Sequence, residues 1–295
     1  MPSRPLPLLR ALAPMLRFLR GVAVLALLPL AARAQAWEPA LAAQFKWHDN
    51  ATNADRAADI LPAAQFLTTL SASQRRLLTP RDQLLFTARF SIEAWPRYDG
   101  LDRLAPGLGL VWQRKFGLGA YAPALRAEFS AEHALARESG RSANTGTAAL
   151  VFRQRLTSAF TAQLGHEFAR TDARDLAFDR TGRETSARLG WQSPTPWHFE
   201  LTLGFRHGDV LVYSSPPRPD LVKKGKIITF SETFDRQGPF IAYYFPADTR
   251  SLALRASRSL DRTTTLGISL ELRRTPHGDV EYRNRLFALS LQRRL

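Results

Sequence analysis

Residues 197–206 read Trp-His-Phe-Glu-Leu-Thr-Leu-Gly-Phe-Arg, with every odd position large and apolar and every even one polar, charged or glycine. Successive side chains of a strand point to opposite faces, so this stretch predicts a strand with one oily and one wet face. The same period recurs along most of the chain and predicts about twelve strands. They are expected at 41–49, about 63–72, 84–95, 107–116, 120–133 and 147–156 in the first half. In the second half they fall at 159–170, 183–192, 197–209, 240–259, 263–273 and 282–295. Parity slips within 246–249, around Pro246, where a bulge is expected.

The connections alternate in length. Short ones fall at 116–119, 157–158, 193–196 and 260–262, with a somewhat longer one at 73–82. Long ones fall at 50–62, 96–106, 134–146, 171–182, 210–239 and 274–281. Short turns on one rim and long loops on the other, with an even strand count, predict a closed antiparallel up-and-down transmembrane β-barrel. Lipid cannot satisfy a free strand edge, so such a sheet must join its first and last strands. Trp47, Trp95, Trp112, Trp191, Trp197, Tyr243 and Tyr244 lie near strand ends, as interfacial girdles require. A secreted soluble β-sandwich would bury the same faces but gives those aromatics no role.

Residues 1–36 read as an export signal and are set aside from fold reasoning, leaving 37–295 as one barrel domain. Arg17 and Arg20 precede the apolar stretch 21–30, and Ala32, Ala34 and Ala36 offer cleavage after Ala34 or Ala36. The apolar stretch is too short to span a bilayer, and no later segment has ~20 uninterrupted apolar residues. The sequence has no cysteine, which removes disulfides, thiolate metal sites and cysteine nucleophiles. With 41 basic and 26 acidic residues the chain carries +15, and +10 without the five arginines of residues 1–36. Export and the lack of a recognition motif argue against nucleic acid as the partner of that charge.

In the last strand Phe287, Leu289, Leu291 and Leu295 alternate, interrupted by Arg293. With the opening 47–55, Trp-His-Asp-Asn-Ala-Thr-Asn-Ala-Asp, this resembles bacterial outer-membrane β-barrel proteins of the small porin-like kind. The resemblance implies an outer-membrane location and insertion by the barrel-assembly machinery, which reads a terminal aromatic in such proteins; here the last residue is Leu295. Some relatives of this kind serve cell-surface polysaccharide systems, or carry basic tracks that pass acidic oligosaccharides. No catalytic residue is carried over.

Candidate chemistry lies on the wet faces. Arg89, Glu93, Arg126, Glu128, Glu132, Arg153 and Arg155 alternate with apolar residues, as do Glu167, Arg188, Glu200, Arg206, Arg255, Glu271 and Arg273. These should line the lumen, because an arginine facing lipid near the midplane would cost ~2–4 kcal/mol. Interleaved Arg and Glu can cross-link as a plug, whereas an uncompensated arginine track can guide small anionic solutes or polysaccharide through a pore. The tetrapeptide His-Gly-Asp-Val occurs at 207–210 and 277–280, placing His207, Asp209, His277 and Asp279 at the outer rim. There they serve as turn chemistry or as acid–base pairs of a surface hydrolase of the protease or lipid-modifying kind.

The loop 210–239 holds three of the five lysines, Lys223, Lys224 and Lys226. It reads as a solvated hairpin tip or a clamp for surface glycolipid phosphates, with Phe230, Phe234 and Phe240 able to fold it inward. No phosphate loop, zinc spacing or cofactor motif is present. The expected function is a narrow porin-like channel or structural surface barrel, in contact with outer-membrane lipid; the alternatives are the hydrolase and a barrel accessory to polysaccharide export.

Overall fold

The computed structural model describes residues 37–225, 227–231, 233–234, 240–278 and 280–295. The expected export signal, Lys226 and Asp279 lie outside them. The strands are β1 (Glu38–His48), β2 (Ala63–Leu77), β3 (Asp82–Ala94), β4 (Arg103–Lys115), β5 (Ala124–Ala136) and β6 (Ala143–Arg155). They continue as β7 (Phe160–Ala173), β8 (Arg180–Gln192), β9 (Trp197–Ser214), β10 (Ile227–Ser231), β11 (Phe240–Ser259), β12 (Thr264–His277) and β13 (Val280–Arg294). One short helix, α1 (Pro219–Lys224), lies between β9 and β10.

Every neighbouring pair is antiparallel, and β1 closes on β13 from Ala40 opposite Arg294 to His48 opposite Leu286. All strands but β10 form the closed wall, because β9 pairs directly with β11. Following the register once around returns to β1 displaced by about 16 residues, which for twelve strands sets a tilt of about 45° and a backbone radius of about 12 Å. The turns at 78–81, 156–159, 193–196 and 260–263 are short, and β1 begins and β13 ends on their side, the periplasmic one.

The outer face is apolar because alternate residues make it so. Phe66, Leu70, Leu108, Phe129, Leu150, Leu164, Leu203, Leu254 and Leu289 all stand exposed on it. A continuous apolar surface on every strand has no place in water and matches hydrocarbon. His166 is a polar exception, its Nδ1 lying 2.9 Å from the Thr185 hydroxyl on the next strand. The inner face carries small hydroxyl residues that pair across strands: Thr69 with Ser91, Ser73 with Thr87, and Thr145 with Thr171.

Four sequence expectations are corrected. The β9–β11 register runs without interruption from Ile241 opposite Ser214 to Arg258 opposite Trp197, so no bulge is needed at Pro246. β9 does not end at Asp209 but continues to Ser214, and the connection expected at 274–281 contracts to a tight turn after His277. Trp95 and Tyr243 are buried inside rather than set in a girdle, whereas Trp47 and Trp191 do stand on the outer face.

Large buried apolar side chains gather at the extracellular mouth. Beyond Arg250, β11 loses β12 and is flanked instead by β9 and β10. This three-stranded extension crosses the mouth. One face sets Tyr213, Phe240 and Ala242 against Leu61, Ala63, Trp95, Tyr98, Phe178 and Phe234. The other packs Val210, Val212, Tyr243, Phe245 and Ala247 with Leu221 and with Tyr282 of β13.

Candidate functional site

The site consists of the inward face of the wall and the cap above it. Period-two alternation turns Arg89, Glu93, Arg126, Glu128 and Glu132 inward on β3 and β5, with Gly107 of β4 between Arg89 and Glu132. Arg89 pairs with Glu132 at 3.3 Å, Arg103 with Glu93 at 2.6 Å and Arg126 with Glu128 at 2.9 Å. On β12, Arg273 holds Glu271 at 2.6 Å. The Arg89–Glu132 and Arg103–Glu93 pairs join strands, whereas Arg126–Glu128 and Arg273–Glu271 each lie within one strand; all four cancel charge.

Other inward charges stand apart. Arg153, Gln163 and Arg188 occupy one cross-strand row on β6, β7 and β8, and both arginines are open to lumen solvent. Arg255 lies opposite Glu200 on β9, and Arg206 opposite Glu184 on β8. Among the described residues none of Arg153, Arg188, Arg206 and Arg255 forms an ion pair within 4.0 Å, although Arg206 donates to the Asp209 carbonyl at 3.4 Å. Glu167 faces Glu184 across β7 and β8. Arg155 lies at the periplasmic edge, donating to the carbonyls of Thr157 and Ser158, so it caps a turn rather than lining the middle of the path. Sequence reasoning did not single out Lys46, Arg103, Arg180 and Glu184, which share the inward parity. Glu184 was readable, alternating with Ser186 and Arg188; Arg103 and Arg180 fell in stretches assigned to loops.

The rim histidines do not converge. Gly208 lies within β9, not at a strand end, and His207 points outward with its Nδ1 2.7 Å from Asp248 Oδ1. Asp209 accepts from the Thr181 backbone N–H at 2.7 Å, a structural use. His277 packs its ring 4.3 Å from the Phe245 ring on the inner side. His207 and His277 therefore occupy opposite faces of the wall. Among the described residues no cluster of three or more histidines and carboxylates is placed to hold a metal.

The cap is fastened at several points. The Tyr213 N–H donates to the Thr52 carbonyl at 2.9 Å, and Asn53 Nδ2 to the Leu211 carbonyl at 3.1 Å. Arg141 donates to the Tyr213 hydroxyl, Ser214 to Asp59 and Thr233 to Glu138. Phe234, fully buried, is held edge-on by Tyr98 and Tyr213, each at 4.9 Å. Of the three loop phenylalanines, Phe234 and Phe240 turn inward while Phe230 is exposed. Lys223 is exposed on α1.

No family model matches the chain, and no curated protein matches it. Solved structures share its fold. An outer membrane channel from Pseudomonas putida F1 is 11% identical, with 90% of this chain and 99% of that one covered at a TM-score of 0.53. The NanC porin is 8% identical, covering 86% of this chain and 100% of its own at a TM-score of 0.47. The KdgM porin, solved with disordered oligogalacturonate, is 8% identical, with 86% and 98% covered at 0.44. A closed twelve-strand wall, apolar outside and polar inside, defines a bacterial outer-membrane β-barrel of porin-like architecture.

Proposed function

We propose that the protein is a narrow channel for small polar solutes with a preference for anions, closed at its outer mouth by the β9–β11 cap. The observation that carries this is the row of solvent-open arginines on the inner wall, Arg153 and Arg188, with Arg255 on β11. A sealed plug would pair its guanidiniums with carboxylates, because an uncompensated charge held away from water is costly. Here the unpaired ones keep their water, which supports a hydrated path. Rings of basic side chains attract anions and repel cations at close range. In this proposal no side chain performs a covalent step, and the outward-facing His207–Asp248 pair is structural.

The test is the reversal potential of refolded protein in a planar bilayer under a potassium chloride gradient. Anion preference is expected, and Arg153→Glu/Arg188→Glu/Arg255→Glu should reverse its sign. Folded protein that gives no current even after removal of 215–239, or a reversal potential that ignores the three substitutions, would reject the proposal.

A further inference from the structure

The outer wall carries a charge pattern that solute passage does not use. On the extracellular side the apolar stripe ends at a basic residue on six consecutive wall strands: Arg170, Arg183, His207, Arg250, Arg274 and Arg285. At the matching point β1 has Asp49 beside Arg285, and β6 has Gly146 opposite Arg170. The contiguous run therefore stops at β1 and at β6, although His133 stands at an outward position of β5.

Two members of this belt are balanced, Arg170 by Asp172 at 2.9 Å and His207 by Asp248 at 2.7 Å. The centre is not. Arg250 stands directly opposite Arg274, and Arg274 directly opposite Arg283, across β11, β12 and β13. Arg283 is held by Glu281 at 2.5 Å, whereas among the described residues Arg183, Arg250, Arg274 and Arg285 have no carboxylate within ion-pair distance. Like charges directly opposite one another destabilise an antiparallel pair. Such a row is tolerable where an anion bridges it. Beneath the row Phe205, Leu252 and Leu272 present exposed apolar surface to the hydrocarbon.

We infer that Arg250 and Arg274, flanked by Arg183 and Arg285, bind the phosphate groups of a phosphorylated glycolipid in the outer leaflet. The guanidiniums face the membrane and not the lumen, at the height where the apolar stripe gives way to headgroups. A lipid phosphate therefore meets them with its acyl chains already against Leu252 and Leu272. Guanidinium pairs suit phosphate because each offers a planar fork of donors to its oxygens.

Native mass spectrometry of the refolded barrel released from detergent, with lipid A carrying two phosphates or none, tests this. Adducts are expected with the diphosphorylated form only. Arg250→Gln/Arg274→Gln should lower their abundance about tenfold or more, the scale of losing charge-assisted hydrogen bonds. Arg250→Lys/Arg274→Lys should retain part of the binding. Arg75→Gln/Arg76→Gln, at the periplasmic end of β2, removes the same charge and should change nothing. Equal binding of phosphate-free lipid A, unchanged adducts in the double glutamine variant, or equal loss in the β2 control would each overturn the inference. If the double variant does not refold, Arg274→Gln alone is compared with Arg75→Gln. Lipid binding is read without current, so this result stands apart from the channel test.

Discussion

Arg218 fastens the cap, and removing its guanidinium should open the mouth while leaving the barrel folded. The side chain is 1% exposed. Its Nη1 and Nη2 donate to the two oxygens of Asp55 at 2.7 and 3.1 Å, tying the β1–β2 loop to the base of α1. Nε and Nη2 reach Asp220 at 3.0 and 2.7 Å, and Nη1 reaches the Ser214 hydroxyl at 3.1 Å. Arg218→Ala leaves Asp55, whose side chain is only 14% exposed, without its cation. Breaking a buried pair from one side costs about 3–5 kcal/mol. Asp220 is 42% exposed and regains water, so the lower end, about 3 kcal/mol, applies. That shifts the closed-to-open ratio of the cap by about 150-fold. The chain has no cysteine, so Ser269→Cys on the inner face of β12 supplies a single thiol. Its labelling by a membrane-impermeant reagent added outside intact cells should quicken by about tenfold or more in Arg218→Ala, saturating once the mouth stands open. Arg218→Lys should fall between, since a point charge cannot grip two carboxylates side by side. An unchanged rate in folded Arg218→Ala would refute the fastening role.

Phe234→Ala empties the site shared by Tyr98, Tyr213 and Phe240, a truncation that costs about 3–5 kcal/mol in a packed core. It should raise Ser269→Cys labelling as Arg218→Ala does, with the barrel's heat-modifiable gel mobility unchanged. At Gly208 a Cβ would lie 2.5 Å from both Gly182 Cα and the Thr181 carbonyl, so β8 would have to move. Gly208→Ala should lower barrel stability by about 1–3 kcal/mol, read as an earlier unfolding midpoint in urea. The Arg218 guanidinium holds the Asp220 carboxyl down at about 2, against an ordinary 3.8. A depressed carboxyl stabilises above its unfolded value and loses that contribution as pH falls through the folded one. Single-channel current should therefore be insensitive to Asp220 above about pH 4 and rise between about 4 and 2, less so in Asp220→Asn.

The wall was legible because lipid imposes a strict rule. Strands with a clean alternation, such as 197–206 or 263–273, show the faces expected from sequence, since a one-residue slip would put charge into hydrocarbon, whereas bounds moved by a few residues, as in the strand expected at 120–133 and found at Ala124–Ala136. The strands ran longer than expected where that rule stops. β2 continues through Gln74, Arg75 and Arg76 to Leu77, and β9 through Asp209 to Ser214, because strand pairing persists beyond the hydrocarbon and no longer needs an apolar face. The cap was hidden for the opposite reason. Its strands bury both faces, so Val210, Val212, Tyr213, Tyr243 and Phe245 follow no period-two pattern. Trp95 illustrates the ambiguity: it ends a membrane strand, as a girdle residue would, yet its parity matches Glu93, to which its indole N–H donates at 2.7 Å. Parity, not position near an end, assigned it to the interior.

Two separate sources of stability follow from this arrangement. The wall draws on hydrocarbon outside and on a closed ladder of backbone hydrogen bonds, neither of which depends on what fills the lumen. The cap draws on apolar burial in water, around Phe234 on one face and Val212 on the other, and on Arg218. Hydrophobic burial and ion pairing at the mouth can be lost locally without exposing a single strand edge of the wall, so the cap forms a lower-stability unit mounted on a higher one. The inner wall below offers polar surface and water-accessible arginines, with no apolar cluster among the described residues to block the path. On the proposed channel reading, opening is decided at the mouth, and wall charge then selects the solutes that follow.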